Sequence, residues 1–140
     1  RNSTGVARYG QTLKSTLGEL GRTMVTLWVI NRQRDSLELL ADYLDAMPAG
    51  ADHQVHVVRN GYFGSAEKFQ LYNGSQLKQR IEEGGGLTLD FPDLADRVAD
   101  QMATQRLTIQ GALKEMPLGH RAELIRWRDD AFKVLGRVMT

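Results

Sequence analysis

His53-Gln54-Val55-His56-Val57-Val58-Arg59-Asn60-Gly61-Tyr62-Phe63-Gly64 is an apolar run that ends in a polar, glycine-flanked loop. Its β-branched centre, bounded by turn residues, predicts a strand covered on both faces, as in the middle of a parallel sheet. Ligands of such sheets gather where the strands end. Arg59 and Asn60 fall at that end, and Gly61 and Gly64 allow a backbone to approach closely. The same residues also read as a strand and its ordinary turn.

Upstream, Met24-Val25-Thr26-Leu27-Trp28-Val29-Ile30 is a second nearly continuous apolar, β-branched run, and it too reads as a strand buried on both faces. Asn31-Arg32-Gln33-Arg34 is its loop. Asp35, with Glu38 three residues on, is the expected cap of a helix lined by Leu37, Leu40, Ala41 and Leu44. Pro48-Ala49-Gly50 ends that helix. Strand, helix and strand make a right-handed βαβ unit with a parallel pair.

Downstream, Ser65 is placed to cap a short helix carrying Phe69, Leu71 and Tyr72, broken by Asn73-Gly74. A second helical stretch from Ser75, with Leu77 and Ile81, stops at Gly84-Gly85-Gly86. Leu87-Thr88-Leu89-Asp90-Phe91 is the third strand, and Pro92 suits the first turn of the helix after it. Residues 93–116 read as one long helix with Leu94, Val98, Met102, Ile109 and Leu113 inward, interrupted at Pro117-Leu118-Gly119. Residues 119–139 form a terminal amphipathic helix in which Leu124, Trp127, Ala131, Leu135 and Val138 face inward and charge faces out. That helix serves either to pack on the sheet or to meet a partner.

Before the first strand, Val6, Tyr9, Leu13, Leu17 and Leu20 have the spacing of an amphipathic helix facing the core. Gly5 to Thr12 has the glycine spacing of a phosphate-binding loop, but Gln11 stands where that loop needs lysine and no strand leads into it. A working phosphate loop is therefore not expected. The 140 residues suffice for one domain with a real core. Hydrophobic residues at 41% and charged residues at 25% describe an ordinary globular chain, and no apolar run reaches bilayer length. A formal charge of +1 does not announce a nucleic-acid binder, and the absence of cysteine rules out disulfides and suits a reducing cytoplasm.

Chemistry-bearing motifs are sparse. No Gly-x-Ser-x-Gly or His-Glu-x-x-His occurs. His53 and His56, three apart on a strand, point to opposite faces and make poor joint ligands, and His120 is expected to be exposed at a helix start. Asp93, Asp96 and Asp100 read as carboxylates serving a helix dipole. Asn60 is the best-placed group to meet the polar edge of a ligand, with Pro92 as the facing wall.

Trp28-Val29-Ile30-Asn31 with Arg34-Asp35-Ser36-Leu37, Val57 to Gly64 with Lys68-Phe69, and Leu89-Asp90-Phe91-Pro92-Asp93-Leu94 together resemble the later half of ParA/MinD-type P-loop ATPases. The plasmid stabilisation and conjugative mobilisation (StbB-like) members are the most similar. The likeness covers roughly residues 20–100. It implies that Asn60 recognises adenine and that Phe91-Pro92-Asp93 lines the base; Arg59, next to Asn60 at the strand end, is counted with them as a candidate cofactor-binding residue. It also implies ATP and Mg²⁺ in the intact protein, since the lysine-bearing loop and acidic strand of that family are missing here.

The expected fold is thus three-layer α/β, a short parallel sheet with flanking helices. Residues 1–140 read as a single domain and a fragment of a larger ATPase. The expected function is the base- and partner-binding half of an ATPase of plasmid partition or conjugative mobilisation, acting in the cytoplasm. Its expected partners are a second copy or another protein, with indirect association to DNA. A non-enzymatic α/β interaction module, or an enzyme of another doubly wound family, remain alternative readings. Without its own phosphate loop, the chain alone is expected to hydrolyse no ATP.

Overall fold

The computed structural model describes residues 3–139. In chain order the elements are α1 (Ser3–Glu19), β1 (Met24–Ile30), α2 (Arg34–Ala46), β2 (His53–Asn60), α3 (Gln70–Asn73), α4 (Gln76–Glu83), β3 (Thr88–Phe91), α5 (Asp96–Gln105), α6 (Ile109–Glu115) and α7 (Leu118–Gly136). Two short 3₁₀ turns, Gly61–Phe63 and Ala66–Lys68, lie between β2 and α3. The strands form one parallel sheet in the order β1-β2-β3 with flanking helices, so the α/β expectation holds. The chain divides into two compact units. One comprises everything up to Arg59 together with Phe63–Leu89, and the other Asn60–Tyr62 together with Asp90 onward.

In the first unit β2 is the central strand. Met24 pairs with His53 and the register runs unbroken to Ile30 opposite Arg59. On its other edge the Val57 amide donates to Leu87 O at 3.0 Å. Alternation along the strands puts Ile30, Val55 and Val57 on one face, where they pack with Leu40 and Leu44 of α2 and with Phe69, Tyr72 and Ile81. The Tyr72 hydroxyl is satisfied by Thr88 Oγ1 at 2.7 Å. Gly86 follows the helix stop that the glycine triplet predicts. A Cβ there would overlap the carbonyl of Val55 and the Ile81 side chain, so glycine is required for the chain to turn onto β2.

The two histidines do point to opposite faces, and both are buried structural groups. His53 Nδ1 donates to Pro48 O at 3.3 Å, and its Nε2 is hydrogen-bonded to Thr26 Oγ1 at 2.8 Å. His56 Nδ1 accepts the Leu87 amide at 2.9 Å, which requires a neutral ring. Burial pushes the pKa of His56 below the ordinary histidine value.

In the second unit Val98, Ala112, Met116 and Leu124 form a core, with Leu94, Met102, Leu107, Leu113 and Trp127 packed against it. On α7, Arg126 bridges Glu123 and Asp130, giving the salt-laced outer face that its charge pattern predicts.

Several expectations are corrected. β1 is an edge strand, not one covered on both faces: Val25 and Val29 are exposed because nothing among the described residues covers them. On α1, Tyr9 and Leu13 are exposed and Leu17 is half-buried; Leu20, just past its end, is exposed, and the Val6 side chain lies outside the described residues. The glycine-spaced stretch from Gly5 to Thr12 is continuous helix within α1, so it forms no phosphate loop. Gln33, not Asp35, occupies the N-cap of α2, and Asp35 sits in its first turn.

Pro92 is not in a first helical turn, since α5 starts only at Asp96, and Asp93 lies in the link ahead of it. Residues 93–116 are two helices. Arg106 adopts left-handed backbone (φ 52°), the Leu107 amide returns to Met102 O at 2.9 Å, and the Thr108 side chain caps α6 by accepting from Gly111 N at 3.0 Å. This closure lets Leu107 reach the core, which a straight helix would prevent. Ile109 is consequently exposed. His120 is half-buried, with Nδ1 2.6 Å from Gln101 Oε1.

Two measurements check this arrangement. A side chain in left-handed backbone costs roughly 1 kcal/mol that glycine does not incur. Arg106→Gly should therefore raise stability by about 0.5–1 kcal/mol in urea unfolding. For His56 the folded pKa is depressed, so the unfolded chain binds the extra proton. Stability should be fully present above about pH 6.5, the unfolded histidine value, and fall as pH drops through it. Unfolding midpoints at pH 7.5 and 5.5 should show that loss, and the non-titrating His56→Gln variant should lack part of it.

Candidate functional site

At the carboxyl end of β2 the Asn60 side chain folds back on its own turn, with Oδ1 accepting the Tyr62 amide at 3.0 Å. This is an Asx turn, which asparagine favours because its side chain imitates a backbone carbonyl. One lone pair of the oxygen is thereby committed, and the amide NH₂ is the group Asn60 can offer a ligand. Gly61 follows with its backbone pressed against the loop after β3. An added Cβ would overlap Phe91 O and lie 3.1 Å from Asp93 N. The structure therefore brings Asn60-Gly61 and Phe91-Pro92-Asp93 together, and glycine is what permits the contact.

The second loop is braced by α7. Trp127 Nε1 donates to Pro92 O at 3.0 Å, and the Phe91 ring meets the Trp127 indole edge-on, with centroids 5.9 Å apart and planes at 80°. Such pairs are worth about 0.5–1.5 kcal/mol beyond area burial. Asp93 is exposed. Trp127 is the supporting residue of this candidate site that sequence reasoning missed. It reads as one more inward position of α7, and the available signal is that a half-buried indole N–H needs an acceptor.

Arg59, one residue earlier on the strand, has a different role within the first unit. Its Nη1 donates to Asn73 Oδ1 at 2.7 Å, and Asn73 Nδ2 donates to Ala66 O at 2.8 Å. Arg59 thus ties the segment from Ala66 to Asn73 to the end of β2. Successive strand residues point to opposite faces, so Arg59 and Asn60 diverge.

The first unit also holds a cleft of about 380 Å³ at the carboxyl end of β1, lined by Asn31, Arg32, Gln33, Phe63, Lys68, Gln70 and Leu71. Asn31 Oδ1 accepts the Gln33 amide at 2.8 Å, and Arg32 Nη1 reaches Phe63 O at 3.4 Å. Two cations and no carboxylate line it, which suits an anionic or strongly polar ligand. Its position obeys the strand-end rule. In the sequence Asn31 to Gln33 passes for an ordinary connection, because Phe63 and Lys68 come from a stretch thirty or more residues away. Among the described residues no group of three or more histidine, aspartate or glutamate side chains could hold a metal ion.

Protein MobD of Acidithiobacillus ferrooxidans is 61% identical to this chain over 139 residues, a match that takes in 99% of the chain and 60% of that protein. The chain therefore spans about 60% of the length of the curated relative it matches. No family model matches it. No solved structure matches it either.

Proposed function

We propose that this chain is the base- and partner-binding half of a ParA/MinD-like ATPase of plasmid mobilisation, working in the cytoplasm with a phosphate-binding part that it does not itself contain. The observation that carries the mobilisation role is the 61% identity to Protein MobD along almost the whole chain. The nucleotide role is supported by the parallel sheet and by the two loops that meet at its strand ends, one offering the Asn60 amide and the other the Phe91-Pro92 wall. These residues suit a flat polar ring: the apolar wall would cover its face and the Asn60 NH₂ would donate to a ring nitrogen. In the intact protein the triphosphate of ATP and its Mg²⁺ would be held by the part outside this chain, and this chain would orient the base and exclude water from it. No membrane anchor is part of the proposal, and among the described residues no helix is long and apolar enough to cross a membrane.

One observation favours a second reading, a nucleotide-free interaction module. The Asn60 oxygen is already used by the Tyr62 amide, so a two-point match to adenine would need the acceptor's second lone pair. The chain alone should show no magnesium-dependent ATP turnover above mock preparations, because residues 5–12 are helix and no lysine loop stabilises the transferring phosphoryl group.

The decisive test uses a chimera in which this chain replaces its matching region in the full-length relative, titrated calorimetrically with ATP and GTP. Asn60→Ala should weaken ATP binding by roughly 1–3 kcal/mol. Asn60→Asp keeps the acceptor for the Tyr62 amide but removes the donor, so it should lose ATP affinity like alanine while retaining stability. Unchanged ATP affinity in both variants would remove Asn60 from the site and leave the interaction module standing.

A further inference from the structure

We propose that the outer face of α7 is a docking surface for an amphipathic helix of a partner protein, one that carries acidic residues beside its own apolar stripe. The surface lies wholly within the second unit and is independent of nucleotide binding. On α7, Leu124 and Ala131 are buried, whereas Leu118, Ile125 and Phe132 are 75%, 40% and 64% exposed. Both sets step by seven residues. Seven residues are just short of two helical turns, so each set forms a row along the helix, and the exposed row stands about 100° around from the buried one. Met139, just past the helix end, continues the exposed row. Scattered exposed apolar side chains are ordinary, but large ones aligned at heptad spacing make the seam on which a second helix packs.

The charges beside the row say what the second helix must bring. Arg121 and Arg128, again seven residues apart, lie between the buried and the exposed rows. Both are half-buried, and the Nε of each is enclosed with no hydrogen-bond partner among the described residues. The nearest carboxylate to Arg128 Nε, Asp129 Oδ1, is 3.7 Å away, too far for a hydrogen bond. The other acids of the helix are committed elsewhere, since Glu123 and Asp130 both bind Arg126. Two guanidinium groups along one border of the seam are thus short of acceptors. A carboxylate is the acceptor that matches their planar fork.

The same charges weigh against a second copy as the occupant. Antiparallel α7 helices centred on Ile125 would set Leu118 against Phe132, but they would also set Arg121 against Arg128 at both ends of the contact. Parallel helices would set each arginine against itself. A lipid surface fits no better, because an interfacial helix needs a broad apolar face. Here the exposed face is one row wide, with Asp129 on its other border. A helix with apolar residues at heptad spacing and carboxylates seven residues apart satisfies both features of α7, the row and the arginines beside it.

The probe is a synthetic three-heptad helix with leucine along its seam and glutamate beside it, and the control has lysine in place of every glutamate. Fluorescence anisotropy would follow binding of each to the full chain and to the chimera described above. The acidic helix should bind at least tenfold more tightly than the control. Arg121→Gln with Arg128→Gln should remove that preference, Arg121→Glu with Arg128→Glu should reverse it, and Phe132→Ser should weaken the acidic helix at least tenfold. The chain contains no cysteine, so maleimide labelling of Ile125→Cys reports on the seam directly, and the acidic helix should slow it where the control does not. Absence of binding by the acidic helix, or equal binding of the two peptides, would overturn the proposal. So would slow labelling of Ile125→Cys in the chimera before any peptide is added, because a segment of the longer protein would then be the occupant. A dimer abolished by Phe132→Ser would name a second copy instead, and sedimentation with phosphatidylcholine–phosphatidylserine vesicles abolished by the same change would name a lipid surface; either result overturns the partner helix. ATP affinity enters none of these readings, so this proposal and the nucleotide proposal fail separately.

Discussion

β2 can be the centre of this molecule because both of its backbone edges are occupied at once. Along one edge β1 pairs with it from Met24 to Ile30, and along the other Val57 takes the carbonyl of Leu87. A buried amide without a partner costs about 1–3 kcal/mol, so a strand as apolar as Val55-His56-Val57-Val58 is tolerated only where every such group is paired. The second edge depends on two local devices. Gly86 lets the chain pass directly over the Val55 carbonyl, and the neutral His56 ring accepts the Leu87 amide. Glycine supplies the space and histidine the acceptor, and together they bring β3 alongside.

The same strand fixes where chemistry is available. Its last residues, Arg59 and Asn60, leave the sheet on opposite faces and are used differently. Arg59 anchors the segment that carries α3 through Asn73, whereas Asn60 shapes the turn that places Gly61 beneath Phe91 and Asp93. The turn uses the oxygen of the Asn60 amide and leaves its NH₂ out of that bond. The brace from Trp127 explains why the loop after β3 is held in an extended path past Pro92 before α5 begins.

Unsatisfied surface is informative in the same way. The core of the first unit is closed around α2, α3 and α4, yet α1 and β1 each leave apolar residues in water. Isolated exposed apolar side chains need no explanation.

The sequence by itself determined the elements whose signals are local. Three short apolar runs announced three strands of a parallel sheet, Leu37, Leu40 and Leu44 announced the buried side of α2, and the glycine triplet announced the end of α4. These hold because period and turn chemistry are properties of consecutive residues. What tertiary structure alone decided concerns neighbours far apart in the chain. An apolar strand looks the same whether it is central or at an edge, so β1 could not be told from β2. The break at Arg106 is invisible to periodicity, because a non-glycine residue accepts left-handed backbone there only to let Leu107 reach the second core. The cleft joining Asn31 to Lys68, and the indole that holds Pro92, exist only once residues more than thirty positions apart are side by side. Sequence spacing carries no record of that proximity, and the packing of elements creates it.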